Sequence, residues 1–168
     1  MKFGLIDRIV EHVRGEHIVA LKAVTLAEEY LADHFPTYPV LPGVLMLEAM
    51  TQAAAWLVRD ALDFEPGVIL LREAKNVTYK SFVRPGNLLR VEVTCRRLAR
   101  GESDFDGLGS CDEQEVVKAR FGLRHWAAGR AEGFLESVDR RILPDARAQF
   151  ESLCRASRLR HGTGASVR

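Results

Sequence analysis

"PGVLMLEAMTQAAAWLVRD" occupies residues 42–60, and how it is read decides the fold. Leu, Met, Ala, Glu and Gln dominate the stretch. All are strong helix formers, and Pro42 suits a first helical turn because its missing N–H has no partner to lose there. Apolar residues cover nearly the whole circumference, which predicts a helix buried inside the molecule rather than lying on it. Charge returns at Arg59 and Asp60, and Pro66-Gly67 ends the connection that follows.

Outward from this helix the chain reads as strands. "HIVALKAV" (17–24) is β-branched and apolar and follows the turn signal Arg14-Gly15, while the residues before it read as a short amino-terminal segment. "VILLREAKNVTYKSF" (68–82), "LLRVEVTCRRLA" (88–99) and "EVVKARFGLRHW" (115–126) are further strands, with "RPGN" as a turn. In the second of these, Leu89, Val91, Val93 and Cys95 alternate with Arg90, Glu92, Thr94 and Arg96, giving one buried and one wet face. "SDFDGLGSCDEQ" (103–114) stays open between an acidic loop and a Gly-rich strand carrying Phe105, Gly107, Gly109 and Cys111 on one face. One buried helix and several strands without alternating helices argue for an α+β class, an antiparallel sheet wrapped on the helix.

The 168 residues, 47% apolar, suit a single core domain, assigned to residues 1–129. Residues 130–168 form a helical and basic extension, with two short helices broken at Pro144 and an Arg-rich end. A solvated appendage is expected there, a docking role being the alternative. Twenty-four Lys and Arg against 23 Asp and Glu leave a net charge of +1, so no global basic field marks a nucleic-acid binder. Three scattered cysteines without a Cys-x-x-Cys pair fit reduced thiols, and no signal peptide or 18-residue apolar run is read. A soluble cytoplasmic protein without membrane insertion is expected. The histidines form no metal-binding spacing, so no metal is expected.

Chemistry concentrates in "DHFPTYPVLPGVLMLEAMTQ" (33–52). Pro36, Pro39 and Pro42 forbid a helix before Pro42 and place His34 at the head of a stiff loop. Glu48 has Thr51 and Gln52 as its i+3 and i+4 neighbours, so the polar groups inside the helix share one stripe. A carboxylate on a buried helix is costly without a partner or a function. His34 and Glu48 make a reasonable acid–base pair, and the free N–H groups of Gly43 and Val44 could bind an oxyanion. Singly, His34 could cap a loop and Glu48 could belong to a structural network.

"HFPTYPVLPGVLMLEAMTQ" resembles the signature of 3-hydroxyacyl-acyl-carrier-protein dehydratases of bacterial type II fatty-acid synthesis. "LIDRI" and "FVRPGNLLRVEV" resemble that family's flanking blocks, so the likeness spans residues 3 to 126. The resemblance implies a hot-dog fold, a long central helix wrapped by a curved antiparallel sheet. It also implies a homodimer with active sites at the subunit interface, with a trimer of such dimers as a larger assembly. The implied reaction is dehydration of a (3R)-3-hydroxyacyl thioester on acyl carrier protein to the trans-2-enoyl thioester, without cofactor or metal. On this likeness His34 removes the C2 proton, Glu48 protonates the departing C3 hydroxyl, and Gly43 with Val44 offers N–H groups to the thioester carbonyl. Gln52 orients the glutamate, and Phe35 lies on the substrate side. The family's usual Gly before the histidine is replaced by Asp33, which could raise the histidine pKa or narrow the entrance.

Other hot-dog thioester enzymes, a thioesterase or hydratase, and a non-catalytic acyl-binding subunit are the alternatives. The group Arg72, Lys75, Lys80 and Arg84 is either a solvated face or a contact for the acidic carrier protein. An extended loop of about 3.1 Å per residue would leave His34 about 25 Å before Pro42, too far for one chain to join its own pair, so a site shared across a two-fold is expected.

Overall fold

The computed structural model describes residues 3–32, 34–35, 37–127 and 145–155. Its strands are β1 (Arg8–Val13) and β2 (His17–Ala23), then, after the helix α1 (Gly43–Ala61), β3 (Pro66–Tyr79), β4 (Leu88–Ala99), β5 (Glu102–Cys111) and β6 (Gln114–Ala127). All pair antiparallel in one sheet of order β1-β2-β4-β5-β6-β3. α1 packs against β2, β3, β4, β5 and β6. Five flat strands would span about 19 Å at 4.8 Å spacing, wider than a helix of about 10–12 Å, so a single helix touching all five requires a sheet curved around it. This is the hot-dog arrangement expected from the sequence.

The seat of α1 is made by small residues. Ala53 and Ala54 are fully buried on the helix, and Gly107 and Gly109 lie opposite on β5. A Cβ on Gly107 would stand 2.7 Å from Met50 Sδ, and one on Gly109 2.5 Å from Val117 Cγ1. The Gly-rich segment is therefore a strand. Phe105 and Cys111 point inward from it with the two glycines, and Phe105 stacks on Phe121 at 5.5 Å. The inward face also holds a polar pair, Ser103 Oγ and His125 Nε2, 2.9 Å apart and buried. The outward face of β3, β4, β5 and β6 is an ion-pair lattice. Arg72 meets Glu73, Glu102 and Asp104, Arg97 meets Glu102 and Asp104, and Asp106 lies between Arg96 and Arg120.

Two expectations change. β1 is an additional strand in what reads as a plain amino-terminal segment. Its alternation is hidden by a register shift between Ile9 and Glu11, which buries Ile9 and exposes Val10. The described residues 145–155 are helical, α2, and are not a solvated appendage. Ala146 and Phe150 are buried, and the Phe150 ring lies 5.3 Å from His12, 5.7 Å from Phe64 and 6.0 Å from Trp56. The rest of the extension, including the Arg-rich end, falls outside the described residues.

Candidate active site

α1 projects Glu48 and, one turn later, Gln52 on the same side. Gln52 Nε2 donates to Glu48 Oε1 at 2.9 Å and to the Phe3 carbonyl at 3.2 Å, while its Oε1 accepts from the Leu5 amide at 2.8 Å. A backbone N–H only donates and a carbonyl only accepts, so Phe3 and Leu5 fix which end of the amide faces the carboxylate. Thr51 takes no part. Its hydroxyl donates to the Leu47 carbonyl of its own helix at 3.1 Å, so the three-residue polar stripe expected from spacing reduces to two.

The amino-terminal segment that makes this clamp is itself anchored to β2. The Asp7 amide donates to the Leu21 carbonyl at 2.9 Å, and its carboxylate accepts from the Ala23 amide at 2.7 Å. Buried Lys22 pairs with Glu28 at 2.7 Å and with Asp7 at 3.5 Å. Beside them Tyr30 is pushed up to about 12 by burial and by the charges of Glu28 and Asp7. No side-chain pattern in the sequence marks Phe3 or Leu5, because only their backbones act.

Glu48 and Gln52 line a cavity of about 480 Å³ that runs along α1 past Trp56 to Arg59 and is walled by Phe3, Ile6 and Ile69. The volume lies within the range of small-ligand sites. At the start of α1, the Leu45 and Met46 amides bond the Pro42 carbonyl at 2.9 and 3.3 Å. The Gly43 and Val44 amides have no hydrogen-bond partner among the described residues. Val44 is the i−4 neighbour of Glu48, so these donors sit one turn from the carboxylate. A Cβ at 43 would stand 3.0 Å from the exposed Tyr79 ring, which would have to shift to admit it.

His34 is held by a folded loop, not the extended one expected. Phe35 takes a positive φ of 54°, and the Tyr38 amide donates to the Phe35 carbonyl at 2.8 Å. His34 Nδ1 thereby comes within 2.9 Å of the Val40 carbonyl, two residues before Pro42, which overturns the 25 Å separation. The carbonyl accepts, so in the neutral imidazole Nδ1 is the nitrogen that carries the hydrogen and Nε2 the one with the lone pair. The exposed Phe35 ring packs edge-on against the imidazole at 4.5 Å, and the Leu41 amide ties the loop to the Val83 carbonyl at 2.8 Å. His34 does not line the Glu48 cavity, and no hydrogen bond joins the two among the described residues. Asp33, with its expected effect on the histidine, falls outside the described residues.

A helix enclosed by one curved antiparallel sheet, with a clamped carboxylate on its face and a proline loop at its start, defines a hot-dog protein. Solved structures share the fold. The dehydratase heterocomplex ApeI:P from Xenorhabdus doucetiae is 17% identical with a TM-score of 0.62, over 80% of this chain and 87% of its own. A Streptococcus mutans protein bound to acetyl CoA is 16% identical with a TM-score of 0.56, over 76% and 93%.

Residues 1–120 match the FabA-like domain family. The 3-hydroxyacyl-[acyl-carrier-protein] dehydratase FabZ of Granulibacter bethesdensis is 42% identical over 77% of this chain and 79% of its own. FabZ of Geobacter metallireducens is 45% identical over 71% and 83%, and that of Saccharophagus degradans 40% over 70% and 83%. The chain belongs to the 3-hydroxyacyl-acyl-carrier-protein dehydratase family.

Proposed function

We propose that the protein dehydrates a (3R)-3-hydroxyacyl group on acyl carrier protein to the trans-2-enoyl thioester, within fatty-acid or related acyl-chain synthesis. The observation that carries this reading is the Glu48 carboxyl, set by Gln52 at 2.9 Å inside a cavity of about 480 Å³. The Nε2 lone pair of His34 takes a proton from C2, and the C2–H electrons form the double bond to C3. Glu48 protonates the C3 hydroxyl, which departs as water. The Gly43 and Val44 amides stabilise charge that develops on the thioester oxygen, and Phe35 keeps the imidazole edge toward the substrate.

The working unit in this reading is a homodimer, with a trimer of dimers as the larger assembly. His34 lies off the Glu48 cavity of its own chain, so a second copy completes each site. β3 supports this: it is a sheet edge 14 residues long, with Leu70, Leu71 and Tyr79 exposed along it. Exposed Phe35, Tyr38 and Phe82 lie on the loop side. Of the cations Arg72, Lys75, Lys80 and Arg84, Lys75 pairs with Glu73 and Lys80 with Glu115, both on the sheet, as Arg72 does. Arg84 instead lies over the Tyr38 ring at 4.8 Å, beside the proline loop, and is the residue we assign to the acidic carrier. No helix among the described residues is long and apolar enough to cross a membrane, and Cys95, Cys111 and Cys154 form no disulfide among the described residues, in keeping with a cytoplasmic site of action.

The test is an assay of carrier-bound 3-hydroxyacyl substrates of graded length, reading enoyl absorbance beside free-thiol release. Enoyl product from the wild type, reduced at least about 100-fold in a folded Glu48→Gln protein, is the expected result. Thiol release without enoyl product would replace this reaction with thioester hydrolysis.

A further inference from the structure

The cavity that holds Glu48 is finished by a helix beyond the matched domain. The match to the FabA-like domain spans residues 1–120, yet Asp145 and Gln149 of α2 line the same cavity as Glu48 and Gln52. α2 packs against the body of the fold. Ala146 and Phe150 are buried, the Arg147 guanidinium lies 4.6 Å over the Phe64 ring, and its Nη2 donates to the Asp63 carbonyl at 3.4 Å. These contacts place the start of α2 by the carboxy-terminal end of α1. Asp145 and Gln149 therefore stand at the end of the cavity remote from Glu48, where Arg59 lies 5.2 Å over the Trp56 ring and donates to the Gly67 carbonyl at 3.0 Å.

From Glu48 to Arg59 the helix rises about 16 Å. A chain whose thioester end reacts at Glu48 and which follows α1 thus meets a guanidinium, a carboxylate and a carboxamide at its far end. A saturated methyl terminus would strip water from these groups and return no hydrogen bond. A terminus with its own donor and acceptor replaces that water. Trp56 and Ile69 still offer apolar cover for the methylenes before it.

Building on the dehydratase reading, we infer that α2 makes the far wall of the acyl pocket polar, through Asp145 and Gln149 beside Arg59, so that the preferred substrates are acyl chains ending in a neutral hydrogen-bonding group such as a hydroxyl. Asp145 and Gln149 are then specificity residues contributed by a segment beyond the FabA-like domain match.

The experiment uses the full chain and two sets of ligands in equal-length pairs, one member ending in methyl and the other in a primary hydroxyl. One set is carrier-bound 3-hydroxyacyl thioesters, read by kcat/KM. The other is pantetheine amides of acyl groups without the 3-hydroxyl, which cannot be dehydrated, read by calorimetric Kd. The hydroxyl-ended member should be favoured about tenfold once the chain is long enough to reach Arg59, the effect of one hydrogen bond made rather than lost. Asp145→Leu with Gln149→Leu, both exposed positions whose change should leave the melting temperature unaltered, should abolish that preference in both readouts. Equal or tighter binding of the methyl-ended amides at every length overturns the inference, as does a preference that survives the double substitution. If the amides show the preference and no thioester is dehydrated, the polar wall stands and the assigned reaction fails.

Discussion

Gln52 Nε2 lies 2.9 Å from Glu48 Oε1, and the amide that makes this bond is oriented by two backbone groups 47 and 49 residues earlier in the chain. The carboxylate is thus set by the amino-terminal segment as much as by its own helix.

Replacing Gln52 with Leu is predicted to lower kcat about tenfold while KM changes little, since the carboxyl remains but is no longer aimed. The same change strands the Leu5 N–H and the Phe3 carbonyl, so the melting temperature should fall as well, each stranded group costing about 1–3 kcal/mol if it stays dry. Deleting residues 1–5 should reproduce the kcat loss with Gln52 intact. Steady-state kinetics on both proteins check this, and an unchanged kcat in folded Gln52→Leu would show that Glu48 needs no clamp.

Mixing His34→Ala chains with Glu48→Gln chains under subunit exchange should regenerate activity from two inactive proteins. Each mixed dimer holds one doubly damaged site and one intact one, so random pairing gives about a quarter of wild-type sites. Differently tagged chains show whether mixed dimers form. If they form and stay inactive, each protomer builds its own site.

Much of this was legible in residue patterns, and the failures are instructive. α1 reads correctly because an apolar helix with a proline start has few alternatives, whereas β5 stays open in the sequence because its inward glycines keep the period of two while its acidic outward residues also suit a loop. β1 is hidden by the bulge after Ile9, which breaks that period. The His34 loop defeats a reading based on proline stiffness because the bend comes from Phe35 at φ 54°, a conformation that side-chain chemistry does not announce. The part played by Phe3 and Leu5 lies wholly in main-chain atoms, which every sequence has.

Stability should decline as pH falls below the neutral range. Burial holds His125 below its ordinary value of 6.5, and His12 is also lowered because its burial outweighs the attraction of Asp60, 3.2 Å away. The unfolded chain takes up these protons near 6.5 and the folded chain only at lower pH, so over that interval the unfolded state binds more protons. Their contribution is therefore intact above 6.5 and lost as pH falls through the lowered values. Melting temperatures measured from pH 8 to pH 5.5 should drop toward the acid end, and His125→Gln should flatten the slope. A slope unchanged by that substitution would move the titration elsewhere.

Phe150→Ala should destabilise the whole protein by about 3 kcal/mol, the usual cost of emptying a buried aromatic site. The ring is 8% exposed and touches His12, Trp56 and Phe64, which come from β1, α1 and the turn after it. Chemical denaturation gives the number. A single transition shifted to lower denaturant shows α2 unfolding together with the sheet, whereas an unshifted midpoint would make α2 a loosely attached part.

The glycines beneath Met50 have a meaning for variation. In a library randomised at 107 and 109, selection for folding should return glycine at both, because the smallest side chain already meets Met50 Sδ at 2.7 Å or Val117 Cγ1 at 2.5 Å. Their neighbours Leu108 and Ser110, on the opposite face of the same strand and only partly covered, should accept many residues. One strand would then carry an alternating record of what evolution can and cannot edit, with the uneditable sites lying beneath the helix that bears the carboxylate.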